Sequence, residues 1–315
     1  MSAPATLQEQ VSVFLQERRQ SGFSVRAMSS QLKSFACFAD NCGHRGPLTL
    51  DLILRWAQAS RRPQLNTAAT RLAQLRPFAK FCHRLDPSNE IPPANYLGQC
   101  YRRLTPHIYS PRELRSLLDA AARWRPAGCL RAHSYATLFG LLSATGLRIS
   151  EALALELGDV DLQQGLLHIR AAKFNKARYV PLHASTRWAL QRYARRRNAQ
   201  VANTATNKFF VADDGRPVSQ RSAQGAFERL RKDLGWRSRG GHCAPRIHDL
   251  RFTFICRRLE NWYEQGVDID RVMLSLYTYV GHVKVTSTYW YLAATPKLMR
   301  LAARRFQRFA AEGAI

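Results

Sequence analysis

The sequence predicts a mainly α, two-domain protein with a small antiparallel β-sheet in the second domain. Three observations support this. At 315 residues the chain exceeds one typical domain. Over most of its length apolar residues recur three and four positions apart, the period of helices buried on one face. One stretch, "GLLHIRAAKFNKARYVPL", reads instead as two β-prone runs around a polar turn, a hairpin.

Residues 6–85 hold four helical segments: "TLQEQVSVFLQERRQ", "VRAMSSQLKSFACFADNC", "TLDLILRWAQAS" and "LNTAATRLAQLRPFAKFCHRL". They are separated by the breaks "SG", "GHRGP" and "RRPQ". This is a small helical bundle, on which Arg71, Arg76 and Lys80 form part of a basic face. Residues 87–105 are proline-rich with little periodicity and read as a linker. A helix then opens at "YSPREL", with Ser110 as N-cap, Pro111 at the first helical position and Glu113 three after the cap. The second domain therefore begins near residue 106. Within it, "SYATLFGLLSATGLRISEALALEL" is helical with a break at Thr145-Gly146, and the hairpin follows. "FFV" before "ADDGRP" suggests a further short strand. The remainder is mainly helical: "SQRSAQGAFERLRKDLGW", "RIHDLRFTFICRRLENWYEQ", "GHVKVTSTYWYL" and a basic tail, "KLMRLAARRFQRFAAEG".

The charge balance narrows the function. A formal net charge of +26, carried by 40 Arg and 8 Lys, predicts a polyanionic partner, because cations gain by displacing the counterions of phosphate. Arginine's planar fork further suits phosphate oxygens and guanine edges. Seven cysteines with no CxxC pair or metal-ligand spacing argue against a disulfide framework or a zinc module, and predict buried thiols in a reducing cytoplasm. "MSAPATLQEQ" has no basic and apolar leader pattern. Nor does any uncharged stretch approach the roughly 18 residues of a membrane span.

Four short patterns can carry chemistry on phosphate, which without a metal needs fixed cations, a base and an acid. "TGLRISEAL" sets Arg148 and Glu151 three apart at a helix start, so the carboxylate can orient the guanidinium. "RIHDLRF" sets His248 and Arg251 three apart on a helix. "AAKFNKARYVPL" puts Lys173 and Lys176 at the hairpin turn. "GHVKVTSTYWYL" supplies His282, Thr288 and two phenols, Tyr289 and Tyr291. Each pattern alone is common on solvated surfaces; their order and joint presence are what count.

Together these four blocks resemble the tyrosine recombinase (integrase) family, which includes phage integrases and bacterial Xer-type recombinases. The likeness is detailed over residues 106–300 and looser over the N-terminal bundle. It implies a two-domain tyrosine recombinase architecture, a helical core-binding domain plus a catalytic domain forming a clamp on DNA. The expected divisions are a DNA-binding core-binding domain over 1–86, a linker over 87–105, a catalytic domain over 106–295, and a C-terminal helix over 296–315 that docks on a neighbouring subunit.

By resemblance, Arg148 and Arg251 clamp the phosphate, Lys173 is the general acid for the 5′-hydroxyl, and His248 is the proton-transfer histidine. His282 hydrogen-bonds the scissile phosphate, Glu151 supports the site and Tyr291 is the nucleophile. Residues two apart on a helix point about 200° apart, so Tyr289 and Tyr291 cannot both reach one phosphate. The family spacing, nine after the histidine with threonine three before, selects Tyr291 and leaves Tyr289 and Trp290 to packing.

The implied activity is site-specific DNA recombination or integration through a 3′-phosphotyrosine intermediate and a Holliday junction, in a tetramer on double-stranded DNA. No metal, nucleotide or other cofactor is implied, nor any membrane. Some features differ from the family pattern: Phe174 stands where glycine is preferred, Phe252 where histidine is common, and the interval before Gly281 is long. These resemble recombinases carried by transposable elements, some of which work beside partner recombinases in transposition. Two other readings stay open: type IB topoisomerase-like DNA relaxation, and a non-catalytic DNA-binding accessory protein of a mobile element.

Overall fold

The computed structural model describes residues 6–312 except 24, 61–66, 101–103, 125–128, 171–176, 202–205, 283–289 and 294, and except the side chains of 26, 27, 293, 308, 309 and 312. The chain separates into two compact units, residues 1–103 and 104–315.

The first unit is four helices: α1 (Leu7–Gln20), α2 (Arg26–Asn41), α3 (Leu50–Gln58) and α4 (Thr67–Leu85). Local chemistry starts two of them. Thr6 and Glu9 form a reciprocal capping box on α1, and the Thr49 hydroxyl accepts from Leu52 N–H on α3. Their apolar stripes meet in one core, with Phe14 edge-on to Phe78 at 5.6 Å and Phe35 edge-on to Trp56 at 5.3 Å. Arg71 lies over the Trp56 ring at 4.0 Å, and Arg76 Nε donates to the Pro92 carbonyl at 2.9 Å. Two members of the expected basic face are thus engaged in packing, while Lys80 is exposed.

The segment expected to be a linker is largely part of this unit. Asn89 Oδ1 accepts from Leu48 N–H at 2.8 Å, Glu90 N–H donates to the Leu48 carbonyl at 2.8 Å, and the Glu90 carboxylate accepts from Leu50 N–H. Prolines erase periodicity here without preventing hydrogen bonding to the bundle.

The second unit opens with α5 (Pro111–Ala122), started by the Ser110–Glu113 capping box. Its hub is α6 (Leu130–Thr145), which packs against α5, α8 (Ala184–Gln200) and α10 (His248–Glu264). Gly146 ends α6 in the left-handed region (φ +64°), where a Cβ would lie 2.5 Å from the Phe254 ring, so glycine is required on both counts. The chain turns there into the short helix α7 (Ile149–Ala154).

A three-stranded antiparallel sheet follows, in the order β1 (Val160–Asp161), β2 (Leu166–Ile169), β3 (Arg178–Pro181), with Leu167 opposite Val180 and Ile169 opposite Arg178. The expected strand at "FFV" is reduced to isolated bridges, Glu156 to Lys208 and Val211 to Pro217. Phe209 and Phe210 are instead buried against Tyr193.

After α9 (Gln220–Asp233) and α10 come α11 (Ile269–Val280), a 3-10 turn over Trp290–Ala293, and α12 (Pro296–Glu312). The start of α12 packs on α10 through Leu298, while Met299 and Phe306 are exposed. Helices α8 and α11 are additions to the elements read from sequence. All seven cysteines are free, but only Cys82 and Cys256 are buried and Cys37, Cys42 and Cys243 are exposed, so the expectation of buried thiols holds for two. Among the described residues no helix is long and apolar enough to cross a membrane.

Candidate active site

The site assembles where α11 ends. A helix terminus leaves its last carbonyls without intrahelical partners and concentrates negative partial charge there. Three arginines from three different elements bond these carbonyls. Arg148, the N-cap of α7, donates Nη2–H to the Gly281 carbonyl at 2.9 Å. Arg251, on α10, donates Nη2–H to Val280 at 2.9 Å and Nη1–H to Gly146 at 2.7 Å. Arg178, which begins β3, donates Nε–H to Tyr279 at 2.9 Å and Nη2–H to Val280 at 3.3 Å.

One carboxylate sits among them. Glu151 accepts the Arg148 backbone N–H at 3.0 Å and its Nη1–H at 2.7 Å, and accepts from Arg178 at 2.9 and 3.3 Å. It is 6% exposed. Burial pushes its carboxyl upward, but the hydrogen bonds and charge of Arg178, then Arg148, outweigh this and hold it below the ordinary carboxylate range.

The sequence pattern placed Arg148 and Glu151 at one helix start, and they meet. His248 and Arg251 share α10 but face different surroundings: His248 is exposed, Arg251 is 2% exposed. Burial and then the neighbouring Arg148 lower the Arg251 guanidinium to about 10, which leaves it charged at neutral pH. The His248 imidazole is driven to about 4, first by desolvation and then by the charges of Arg251 and Arg246. Its residue exposure and that desolvation point in different directions; the cations around it favour the neutral ring in either case, and Asp249 opposes them. A neutral imidazole at pH 7 can accept a proton.

Tyr291 lies in the 3-10 turn, 4% exposed. Its ring stacks with His282 at 5.7 Å and packs on Phe252 at 5.1 Å. Phe252 also touches His248 edge-on at 5.1 Å and Trp290 at 5.6 Å, so one phenylalanine contacts both the histidine and the phenol of the site. Burial raises the Tyr291 phenol above its ordinary value, while Arg251 pulls it down, so it is protonated at neutral pH. The structure therefore brings together Arg148, Glu151, Arg251, His282 and Tyr291, with His248 joined through Phe252. Lys173 lies outside the described residues, as do Lys176, Phe174, Thr288 and Tyr289.

Sequence reasoning missed Arg178 and the bridging role of Phe252. Arg178 was visible only as the arginine of the hairpin block; its partners lie 27 and about 100 positions away.

A mostly helical unit with a small sheet thus gathers three guanidiniums beside a histidine and a buried phenol. Residues 108–297 match the model of the phage integrase family, and the chain belongs to that family, the tyrosine-type site-specific DNA recombinases. It is 38% identical over 310 residues to y4rB, an integrase/recombinase candidate of Sinorhizobium fredii, covering 96% of this chain and 98% of that one. It is 28% identical over 235 residues to the tyrosine recombinase XerC of Chlamydia trachomatis, covering 74% of this chain and 69% of that one. Among solved structures, the Tn1549 transposon integrase in complex with transposon right end DNA shares the fold at a TM-score of 0.68 and 17% identity, over 96% of this chain and 99% of that one.

Proposed function

We propose that this chain cuts and rejoins double-stranded DNA for a mobile element, with Tyr291 as the nucleophile. The observation that carries the reading is the excess of fixed cation: two guanidiniums, Arg148 and Arg178, bond the Glu151 carboxylate, and a third, Arg251, is held on the adjoining Val280 carbonyl beside Tyr291. An unmatched buried positive charge favours a phosphate, and most of all the extra negative charge of a pentavalent phosphorane.

In the proposed reaction the Tyr291 oxygen attacks the scissile phosphorus and its proton passes to neutral His248. The bond from phosphorus to the 5′ oxygen breaks, and Lys173 protonates the departing oxygen. A 3′-phosphotyrosine and a free 5′-hydroxyl result. Attack by a 5′-hydroxyl from a second duplex reverses the chemistry and joins the strands. Arg148 and Arg251 clamp the non-bridging oxygens, His282 hydrogen-bonds one of them, and Glu151 orients Arg148. The covalent ester conserves the phosphodiester energy.

Residues 1–86 serve as the core-binding domain and residues 106–295 as the catalytic domain, the two closing on DNA as a clamp. The C-terminal helix α12 docks on a neighbouring subunit of a tetramer, a role its exposed Met299 and Phe306 support. The chain works on nucleoid DNA in the cytoplasm, alone or beside partner recombinases of the same element.

The test is a nicked suicide duplex carrying the end of the element, incubated with the protein in EDTA and resolved under denaturing conditions. A protein–DNA adduct is expected, lost in Tyr291→Phe and retained in Tyr289→Phe. An adduct that persists in Tyr291→Phe overturns the assignment. Holliday junctions formed between two sites distinguish recombination from topoisomerase-like relaxation; absence of any adduct leaves the accessory-protein reading.

A further inference from the structure

Arg178 belongs to none of the roles above, yet of the three arginines at the end of α11 it makes the most hydrogen bonds to protein. Its side chain is 8% exposed. Of the five N–H groups a guanidinium carries, four bonds are made: one to Tyr279, one to Val280 and two to the oxygens of Glu151. Arg148 and Arg251 each make two bonds to carboxylate or carbonyl, and Arg148 is 25% exposed. Gly281 is shaped to this arrangement. It caps α11 at φ +66°, and a Cβ there would lie 2.5 Å from Arg178 Nη1 and 2.7 Å from its Cζ. The glycine before His282 and the arginine of the hairpin block are therefore two halves of one packing contact.

We propose that Arg178 is a positioning residue for strand cleavage: it shares the Glu151 carboxylate with Arg148 and ties down the end of α11, so that Arg148 stays available to a phosphate. This rests on the functional reading above. Two physical effects carry it. A buried carboxylate facing a single guanidinium draws it into a closed pair, and a phosphate must then compete for Arg148. With Arg178 present the same charge is divided between two cations, one of them already committed to protein. Secondly, the carbonyls of Tyr279 and Val280 lose donors without Arg178, and Val280 is also the acceptor that seats Arg251. The arginine thus acts on both phosphate clamps, through a carboxylate on one side and a carbonyl on the other.

The experiment is single-turnover cleavage of the suicide duplex, with DNA affinity measured at the same salt and melting followed by circular dichroism. Arg178→Ala is expected to slow adduct formation by about 100-fold while DNA affinity changes by less than about threefold, the mark of a lost transition-state interaction. The discriminating variant is the double Arg178→Ala/Glu151→Gln. Removing the carboxylate charge releases Arg148, so the double variant should cleave about tenfold faster than Arg178→Ala, a coupling that a purely structural role does not produce. If Arg178→Ala does not fold, Arg178→Lys carries the same test, because an ammonium keeps the charge but not the planar fork; Glu151→Gln should again raise its rate. No adduct with wild-type protein overturns the functional reading and this inference with it. A wild-type adduct with Arg178→Ala cleaving at the wild-type rate overturns the inference alone. So does a double variant as slow as the single.

Discussion

Two carboxylates in the second unit do the same local job in opposite company. Glu113 and Glu151 each sit at the third position of a helix and accept the backbone N–H of the cap residue, at 2.7 Å from Ser110 and 3.0 Å from Arg148. Each also pairs with an arginine distant in sequence. Glu113 meets Arg239 through two bonds, 2.6 and 2.7 Å long, with the buried His107 at 3.4 Å. Burial, then the charge of Arg239, lowers the His107 imidazole. One anion there meets one cation and a ring biased to the neutral form. Glu151 meets two guanidiniums, with a third on the adjoining carbonyl. The lesson is that an ion pair does not mark a site; unmatched charge held in place does. The Glu113 cluster matches its charges one to one, whereas the Glu151 cluster holds more guanidinium charge than its carboxylate balances.

The largest effect that could break this comparison lies with Arg251. Arg251→Lys keeps a charge but cannot bond Gly146 and Val280 together, and should lower suicide-substrate cleavage by about 1,000-fold. Arg239→Lys makes the same chemical change in the matched cluster and should leave cleavage within about threefold of wild type. Equal losses at the two positions would erase the distinction.

Next in size is Gly281→Ala, which places a Cβ against the Arg178 guanidinium at positive φ. It should cost about 1–2 kcal/mol of stability by denaturant titration, together with a loss of cleavage. The corresponding change at Gly266, where positive φ is kept but the space is open, should lower stability without slowing cleavage.

Smaller again is the acid response of the matched cluster. Burial raises the Glu113 carboxyl, but Arg239 and Ser110 overcome this and bring it to about 2. A carboxyl lowered on folding contributes stability that is present above its unfolded value and lost as pH falls toward the folded one. Glu113→Gln should therefore remove on the order of 2 kcal/mol at pH 7, and flatten the fall in melting temperature between about pH 4.5 and pH 2. An unchanged acid limb would show that Glu113 is not a stabilising pair.

The least in magnitude is the titration of His248. His248 should titrate near pH 4 in the DNA-free protein, read from its ring proton resonances and assigned with His248→Gln. Because the folded value lies below the unfolded one, protonation favours the unfolded chain, so this group's contribution weakens as pH falls from about 6.5 toward 4. A midpoint at the ordinary histidine value would mean that the surrounding cations do not act on it.

Much of the fold was legible because the signals were local. Ser110, Pro111 and Glu113 start a helix within four residues, and the structure contains that capping box. Gly146 and Gly281 end helices at positive φ, where glycine is favoured. Other elements were hidden for physical reasons. The arginines of α8 obscure its period, since only Leu190, Tyr193 and Arg197 of that helix are buried. "FFV" has the composition of a strand but is buried by packing on Tyr193 rather than by ladder bonds. Residues 87–100 lack periodicity, so hydrogen bonds such as that from Leu48 N–H to Asn89 Oδ1 could not be foreseen from it.

At the site, the four blocks and their order were written in the sequence, as was the Arg148–Glu151 spacing that becomes an ion pair one helical turn long. Family membership follows from that order. The tertiary structure alone decided which arginines are committed to protein, that Glu151 divides its charge between Arg148 and Arg178, and that Phe252 joins His248 to Tyr291. Spacing along a chain specifies only neighbours within a turn or a strand pair. The end of α11 is a meeting place for residues up to 133 positions apart, and unpaired carbonyls at a helix terminus give guanidiniums a reason to gather only once the fold has brought them there.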